Sequence, residues 1–176
     1  MRPWLRREVE QVFDHPLFSM EQQEVEAGDD RRRVLVMHPT PWVNMIPLRD
    51  DGEVVLVRQW RFGTAMPSLE IPGGMVDPGE APAAASSREL LEETGYGAGK
   101  WTELGCVHPN PAIMSNECWI YLAEDLQWIE EPRGDGDEEI DVESVQLDDI
   151  PELIRSGEIT HSLVLAAFHL LGLARR

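Results

Sequence analysis

Four glutamates stand at fixed intervals around one short predicted helix, which begins near Pro82 and ends near Thr94. On that helix Glu89 and Glu93 are four residues apart and share a face, with Glu92 on the adjoining edge. Like charges at this spacing repel each other, and they lie at the helix end where the macrodipole disfavours anions. A bound divalent cation would offset both the repulsion between the carboxylates and the unfavourable macrodipole. Mg²⁺ suits this role because it takes oxygen ligands and prefers one or two carboxylates.

The glycines before the helix extend this hypothesis to the preceding loop. Gly73 and Gly74 permit tight turns and close backbone approach, so the Gly73 carbonyl is a candidate for a further oxygen ligand. Arg88 can pair with Glu80 in the loop or with Glu92 one helical turn further on, and we assign Glu80 and Arg88 a bracing role. The alternative is a solvated acidic helix face, the ordinary meaning of charges on a short helix.

Residues 74–96 are similar to the signature of the Nudix hydrolases at every fixed position. That signature is Gly, five residues, Glu, seven residues, then Arg-Glu-apolar-any-Glu-Glu-any-Gly-apolar. The chain supplies, in order, Gly74, Glu80, Arg88-Glu89-Leu90, Glu92-Glu93, Gly95 and Tyr96, the last a slightly polar choice for its position. On this signature, called the box below, the chain is identified as a member of the Nudix family.

The resemblance implies that family's α/β/α sandwich and a metal-dependent hydrolysis of a nucleoside diphosphate linked to another moiety. By matching positions, Glu89 and Glu93 correspond to the principal metal ligands. Glu92 corresponds to a further or outer-shell ligand and is counted with the catalytic residues, and the Gly73 carbonyl joins the ligand set. The implied cofactor is Mg²⁺, with Mn²⁺ as the alternative.

The resemblance places the general base outside the box, on a loop that follows it. In this sequence that loop is the acidic segment 130–139, which makes Glu138 and Glu139 the candidates. Glu139 is preferred because it borders the next predicted strand. The alternative for this segment is a solvated acidic loop without a catalytic role.

The sequence around the box resembles the ADP-ribose and nucleoside diphosphate sugar pyrophosphatase branch, through VRQWRFGT and SLEIPGG before it and PNPAIMSN and GEITHSLVLAA after it. Arg61 is assigned to a phosphate contact, with Arg58 as second candidate and a surface salt bridge as the alternative. For Glu70 a structural role, orienting Arg61, is favoured. Trp42 resembles the aromatic residue that stacks on the nucleobase, often across a dimer interface, and a buried core tryptophan is its alternative.

Composition limits the classes of partner. The net charge of −18 argues against nucleic acid, which requires a lysine and arginine surface, whereas metal ions and a few arginines can offset a small anionic substrate. The sequence has neither an apolar run of membrane-spanning length nor a signal-peptide segment, so we expect no membrane partner and a cytoplasmic location. Cys106 and Cys118 are interpreted as buried thiols. His108 and His161 lie in predicted loops and are interpreted as solvated histidines, with a substrate contact as the alternative.

The elements that must position the box mix strands and helices without regular βαβ alternation, which predicts an α/β (α+β) sandwich with a mixed sheet. Residues 7–38 alternate between apolar and polar side chains and predict two or three strands. The turn at Asp50-Asp51-Gly52 predicts that 42–48 and 53–61 are antiparallel neighbours. Further strands are predicted at 68–71, 101–107, 117–123 and 141–146, and helices at 82–94, near 148–155 and at 162–173. Core or edge packing is predicted for Phe13, Trp60, Trp101, Trp119 and Trp128.

Together these predictions give an N-terminal β extension, residues 1–40, for dimerisation and base recognition, and a Nudix catalytic domain, residues 41–176. A second subunit would cover the strand edges of the extension, so we expect a homodimer. The expected reaction is Mg²⁺-dependent hydrolysis of ADP-ribose or a related nucleoside diphosphate sugar, such as GDP-mannose, to a nucleoside monophosphate and a sugar phosphate. The alternatives are a nucleoside triphosphate or dinucleoside polyphosphate hydrolase, and a non-catalytic ADP-ribose sensor.

Overall fold

The computed structural model describes residues 1–133 and 139–175. Glu138, one of the two candidate bases, lies outside the described residues. Contacts divide the chain into two units, the first formed by Met1–Pro41 with His108–Glu117 and the second by Trp42–Val107 with Cys118–Arg176. In the described part of the chain, no helix is long and apolar enough to cross a lipid bilayer.

The first unit is built on three strands, β1 (Leu5–His15), β2 (Phe18–Ala27) and β3 (Asp30–Pro39), which confirms the predicted N-terminal strands. They form an antiparallel sheet with the order β1-β2-β3. Opposite charges face each other across β2 and β3, where Glu24 lies opposite Arg33 and Glu26 opposite Arg31. Such cross-strand pairs favour one register over its neighbours.

In its described residues the second unit has two sheets and three α-helices. In chain order the elements are β4 (Trp42–Pro47), β5 (Glu53–Arg61), β6 (Met66–Glu70), β7 (Gly73–Met75), α1 (Pro82–Thr94), β8 (Tyr96–Val107), β9 (Cys118–Trp128), β10 (Ile140–Gln146), a 3-10 turn (Leu147–Asp149), α2 (Ile150–Arg155) and α3 (Ser162–Ala174). A four-stranded sheet has the order β7-β4-β9-β8, with β4 and β9 parallel and the other pairs antiparallel. A three-stranded antiparallel sheet has the order β10-β5-β6.

Two apolar clusters cover opposite faces of the four-stranded sheet. On β4, Val43 and Met45 belong to the cluster that includes Leu90 of α1. Ile46 points the other way, because successive side chains alternate along a strand, and belongs to the cluster that includes Val164 of α3. The sheet therefore lies between α1 on one side and α3 with the second sheet on the other, which confirms the predicted sandwich with a mixed sheet.

The predicted pairing of 42–48 with 53–61 is wrong. The turn forms, since the amide of Gly52 donates to the carbonyl of Arg49 at 3.0 Å and Gly52 has a φ of 86°. Beyond the single bridge between Leu48 and Val54, however, β4 joins β7 and β9 while β5 joins β10 and β6. Turn residues specify a reversal of the chain, but the partners of two buried strands are chosen by packing on both of their faces.

Helix α1 has the predicted bounds. Pro82 lies in its first turn, where the missing N–H has no helical partner, and Gly95 ends it in the left-handed region with a φ of 75°. The Gly95 amide donates to the carbonyl of Leu91 at 2.9 Å, and the Gly95 carbonyl accepts from the amide of Ile129 at 2.9 Å. A Cβ at Gly95 would collide with the carbonyl of Glu130, so a glycine is required where the chain passes close to the helix end.

Candidate active site

The two predicted metal ligands lie on the buried face of α1. Glu89 is 6% exposed and Glu93 is 5% exposed, and they share this face with Ala85 and Leu90. A helix whose charges served only to hold it in water would turn them away from the sheet. The alternative of a solvated acidic face is therefore excluded, and the burial of two carboxylates requires compensating partners.

The two glycines of β7 contact these carboxylates in different ways. The amide of Gly73 donates to Oε2 of Glu93 at 2.8 Å, so the residue proposed to supply a carbonyl ligand lies directly against that glutamate. A Cβ at Gly74 would collide with the carboxylate of Glu89. The fixed glycine of the box thus leaves the space that the Glu89 side chain fills.

Arg88 joins the loop before α1 to the acidic face of the helix. Its Nη2 donates to Oε2 of Glu80 at 2.9 Å, and its Nη1 donates to Oε1 of Glu89 at 2.8 Å and Oε2 of Glu92 at 3.0 Å. Nη2 also donates to the carbonyl of Met75 at 3.0 Å. These contacts raise the pKa of Arg88 and, chiefly through the hydrogen bonds from Arg88, lower the pKa of Glu80. Arg88 and Glu80 therefore tie the loop to the helix.

A second ion pair lies on the sheet formed by β5 and β6. Arg61 donates from Nε to Oε1 of Glu70 at 2.9 Å and from Nη2 to Oε2 at 2.8 Å, a bidentate pair. Glu70 is 1% exposed. Burial acts to raise the pKa of Glu70, but the hydrogen bonds and charge of Arg61 outweigh burial and lower it. The buried carboxylate thus fixes the orientation of the Arg61 guanidinium, whose side chain is 40% exposed.

One cavity of about 890 Å³ connects these groups. Its lining includes eight of the residues predicted from the sequence: Trp42, Arg61, Glu70, Gly73, Arg88, Glu89, Glu93 and Glu139. Arg58 instead lies on the other face of β5, three residues from Arg61, where it forms ion pairs with Glu143 at 2.5 Å and Glu158 at 2.7 Å. Arg58 therefore forms surface salt bridges, the alternative to a phosphate contact. Arg61 is the arginine of β5 that faces the cavity.

Comparison with known proteins identifies the family. The NUDIX domain matches residues 38–168. The chain belongs to the Nudix family. It is 34% identical over 153 residues to the ADP-ribose pyrophosphatase of Bacillus subtilis (strain 168), an alignment covering 85% of this chain and 82% of that protein. It is 36% identical over 121 residues to the ADP compounds hydrolase NudE of Escherichia coli (strain K12), covering 67% and 64%.

A solved structure supports the same assignment. The crystal structure of an ADP compounds hydrolase matches with a TM-score of 0.87 at 29% identity, covering 97% of this chain and 93% of that chain. The predicted Nudix family, its ADP-ribose pyrophosphatase branch and an enzyme of the Nudix pyrophosphatase type are thereby confirmed.

Nudix hydrolases use divalent cations, and the residues at the box fit such an ion. Glu89 and Glu93 offer hard carboxylate oxygens on one buried helix face, in the space left by Gly74. Within residues 1–133 and 139–175, no three His, Cys, Asp or Glu side chains converge on one point as a metal cluster. Glu89 and Glu92 both accept from Arg88, but the side chain of Glu92 is 34% exposed and that of Glu89 only 8%. The buried pair Glu89 and Glu93 matches the one or two carboxylates that Mg²⁺ ordinarily takes from protein when substrate phosphates complete its coordination.

The candidate base Glu139 reaches the cavity because of strand pairing. Ile140, the first residue of β10, pairs with Gln59 of β5, and this register places the preceding Glu139 beside the end of β5 that carries Arg61. Glu139 is exposed and lines the cavity. It is therefore accessible to water at the rim of the site, as a general base has to be.

Two exposed aromatic residues and one histidine are among the cavity residues that were left outside the predicted site. Trp60 and Phe62 line the cavity and are 51% and 90% exposed, so the prediction of core or edge packing for Trp60 was wrong. His161 also lines the cavity and is half-buried, so its interpretation as a solvated loop histidine was wrong. The sequence did offer a signal for Trp60: it lies after the buried residues of β5, where buried and exposed side chains alternate. No sequence pattern marks the burial of His161.

Burial also bears on the two cysteines and on Trp42. Cys118 is buried as predicted, and burial raises its pKa to about 12, whereas Cys106 is exposed, contrary to the prediction. Trp42 packs against the apolar cluster of α3 and also lines the cavity, so it combines features of its two alternatives.

Proposed function

We propose that this Nudix hydrolase cleaves the diphosphate of ADP-ribose or a related nucleoside diphosphate sugar, with Mg²⁺ as cofactor and a nucleoside monophosphate and a sugar phosphate as products. The observation that carries the proposal is the single cavity that holds the buried pair Glu89 and Glu93 together with Arg61 and Glu139. The names and the extent of similarity of the ADP-ribose pyrophosphatase and of NudE support this substrate class.

Different residues of the cavity would bind the metal ion, contact the phosphates and accept the proton. Glu89 and Glu93 would hold Mg²⁺, which would supply charge neutralisation and Lewis-acid polarisation of the diphosphate. Arg61, oriented by Glu70, donates to phosphate oxygens and offsets the negative field of a chain with net charge −18. Glu139 accepts a proton from the attacking water. At the same time the water oxygen bonds to phosphorus and the bridging P–O bond breaks. The bridging oxygen leaves with one of the two products.

A panel of substrates tests this proposal. The purified protein with Mg²⁺ is given ADP-ribose, GDP-mannose, ADP-glucose, UDP-glucose, NADH and dATP, and products are separated by ion-exchange chromatography. We expect kcat/KM to be highest for a nucleoside diphosphate sugar and the products to be a nucleoside monophosphate and a sugar phosphate. Cleavage of dATP alone would replace the proposal by the triphosphatase alternative, and binding of ADP-ribose without any cleavage would replace it by the sensor alternative.

The proposed assembly is a homodimer through the N-terminal extension, residues 1–40, which would also contribute to base recognition. In the described residues β1 pairs with β2 alone, and Val9, Val12 and Phe13 on β1 are each exposed. An open strand edge is a template for pairing with another chain, and exposed apolar side chains mark interaction surfaces.

Light scattering tests the dimer. At micromolar concentration we expect twice the chain mass of 19.9 kDa. Val12→Asp should shift the protein to the monomer mass, because a charge would be buried in the interface, whereas Asp14→Asn on the same strand should not. A wild-type protein that elutes as a clean monomer would contradict the proposed assembly.

A further inference from the structure

His161 is fixed at the edge of the cavity by the start of α3. It is the N-cap residue of that helix, and its Nδ1 accepts a hydrogen bond from the amide of Leu163 at 3.3 Å. A ring nitrogen that accepts carries no proton, so the neutral imidazole holds its proton on Nε2. The helix cap therefore selects one tautomer as well as one ring orientation.

The surroundings keep this ring neutral. Burial lowers the pKa of His161, the charge of Glu70 partly opposes that effect, and the charge of Arg61 adds to it. At neutral pH the residue is thus a neutral donor whose single N–H lies at Nε2.

That N–H lies beside the Arg61–Glu70 pair. Nε2 of His161 is 4.0 Å from Oε2 of Glu70, which is too long for a hydrogen bond. The same oxygen of Glu70 accepts from Arg61 at 2.8 Å. All three side chains line the cavity, so Nε2–H adds a second donor next to the guanidinium.

We propose that His161 is a substrate-contact residue whose Nε2–H donates to a phosphate oxygen of the diphosphate beside Arg61. The inference rests on the proposed function, since it assigns a contact of the same site. A donor held by a helix cap loses little entropy when it binds, and its neutrality lets it contact the phosphate without repelling the neighbouring arginine.

Two variants separate this contact from the structural role of the cap. In His161→Asn the side-chain oxygen can still accept from the amide of Leu163, because asparagine is among the best N-caps, but the group that reaches to Nε2 is lost. In His161→Gln the amide nitrogen takes a position similar to Nε2, while the cap is weakened. A residue with only a structural role would lose stability and activity together.

Thermal unfolding and steady-state kinetics on one substrate give the readout. We expect His161→Asn to keep the wild-type Tm and lose about 10- to 100-fold in kcat/KM, the effect of one hydrogen bond to a charged group. His161→Gln should have a lower Tm and a kcat/KM within about threefold of wild type. Wild-type kcat/KM in the asparagine variant, or an equal loss in both variants, would overturn the proposal.

Long-range ¹H–¹⁵N spectra of the histidine rings test the contact without turnover, with the His161→Asn spectrum assigning the signals. We expect His161 as the Nε2–H tautomer, and its signals should shift when inorganic pyrophosphate or metal-free ADP-ribose is added. If the wild-type protein turns over no member of the substrate panel, the proposed function is contradicted but the His161 contact is not. Unshifted His161 signals with either probe overturn the contact, whatever the substrate panel shows.

Discussion

Replacing Glu93 by glutamine is expected to lower kcat by about 10³-fold or more and to weaken Mg²⁺ binding, with the fold retained. Glu93 is 5% exposed on the face of α1 that borders the cavity, and its carboxylate is a principal candidate ligand. Glutamine is nearly isosteric, and its side-chain oxygen can still accept the hydrogen bond that the Gly73 amide donates at 2.8 Å. The substitution removes one negative charge from the ligand set, and several kcal/mol of transition-state stabilisation depend on the bound cation.

Metal titration calorimetry, steady-state kinetics and thermal unfolding are measured on the same preparations of this variant. Glu152→Gln is the matched control, because Glu152 is an exposed glutamate on α2 with a surface ion pair to Arg155, and it should leave all three measurements unchanged. Normal turnover in Glu93→Gln, or lost turnover with unchanged metal affinity, would contradict the assignment of Glu93 as a metal ligand.

The second large effect is expected at the base. Glu139→Gln should lower kcat by about 10²- to 10⁴-fold while Mg²⁺ affinity and Tm stay at wild-type values. Glu139 lines the cavity but is exposed, so its removal costs proton transfer and little packing. The opposite pattern from Glu93→Gln, with metal binding kept and turnover lost, would separate the two roles.

Two comparisons complete the experiment at the base. Glu131→Gln removes an exposed carboxylate from the same acidic loop and should turn over normally. Glu138→Gln is made in parallel, since the sequence offers both glutamates. A large loss in Glu138→Gln alone would transfer the role to that residue, and near-normal turnover in both would remove the acidic loop from the mechanism.

The box and its helix were predictable because their information is local. Proline in the first turn and glycine just past the end give α1 its bounds, and the four-residue spacing of Glu89 and Glu93 gives them one face. Backbone geometry within a few residues decides each of these features. The four-residue spacing by itself indicated a divalent-cation site, and the resemblance of residues 74–96 to the family signature extended it to a metal-dependent Nudix hydrolase.

The partners of strands were not predictable in the same way. The turn after β4 has ordinary hairpin chemistry, yet β4 and β5 lie in different sheets. Both strands are buried on both faces, so their sequences carry no alternation that would reveal which sheet covers them. Only the packing of α1, α3 and the two sheets around them selects the pairing.

By itself the sequence determined the family, the mixed α/β architecture, the bounds of α1 and the identity of the candidate metal-binding carboxylates. Only the tertiary structure decided that Arg61 faces the cavity while Arg58 does not, that Glu139 arrives there through the pairing of β10 with β5, and that His161 caps α3 beside Glu70. The physical reason is one of range. Helix ends and ligand spacing follow from neighbours in the chain, whereas burial and charge pairing depend on residues that folding alone brings together.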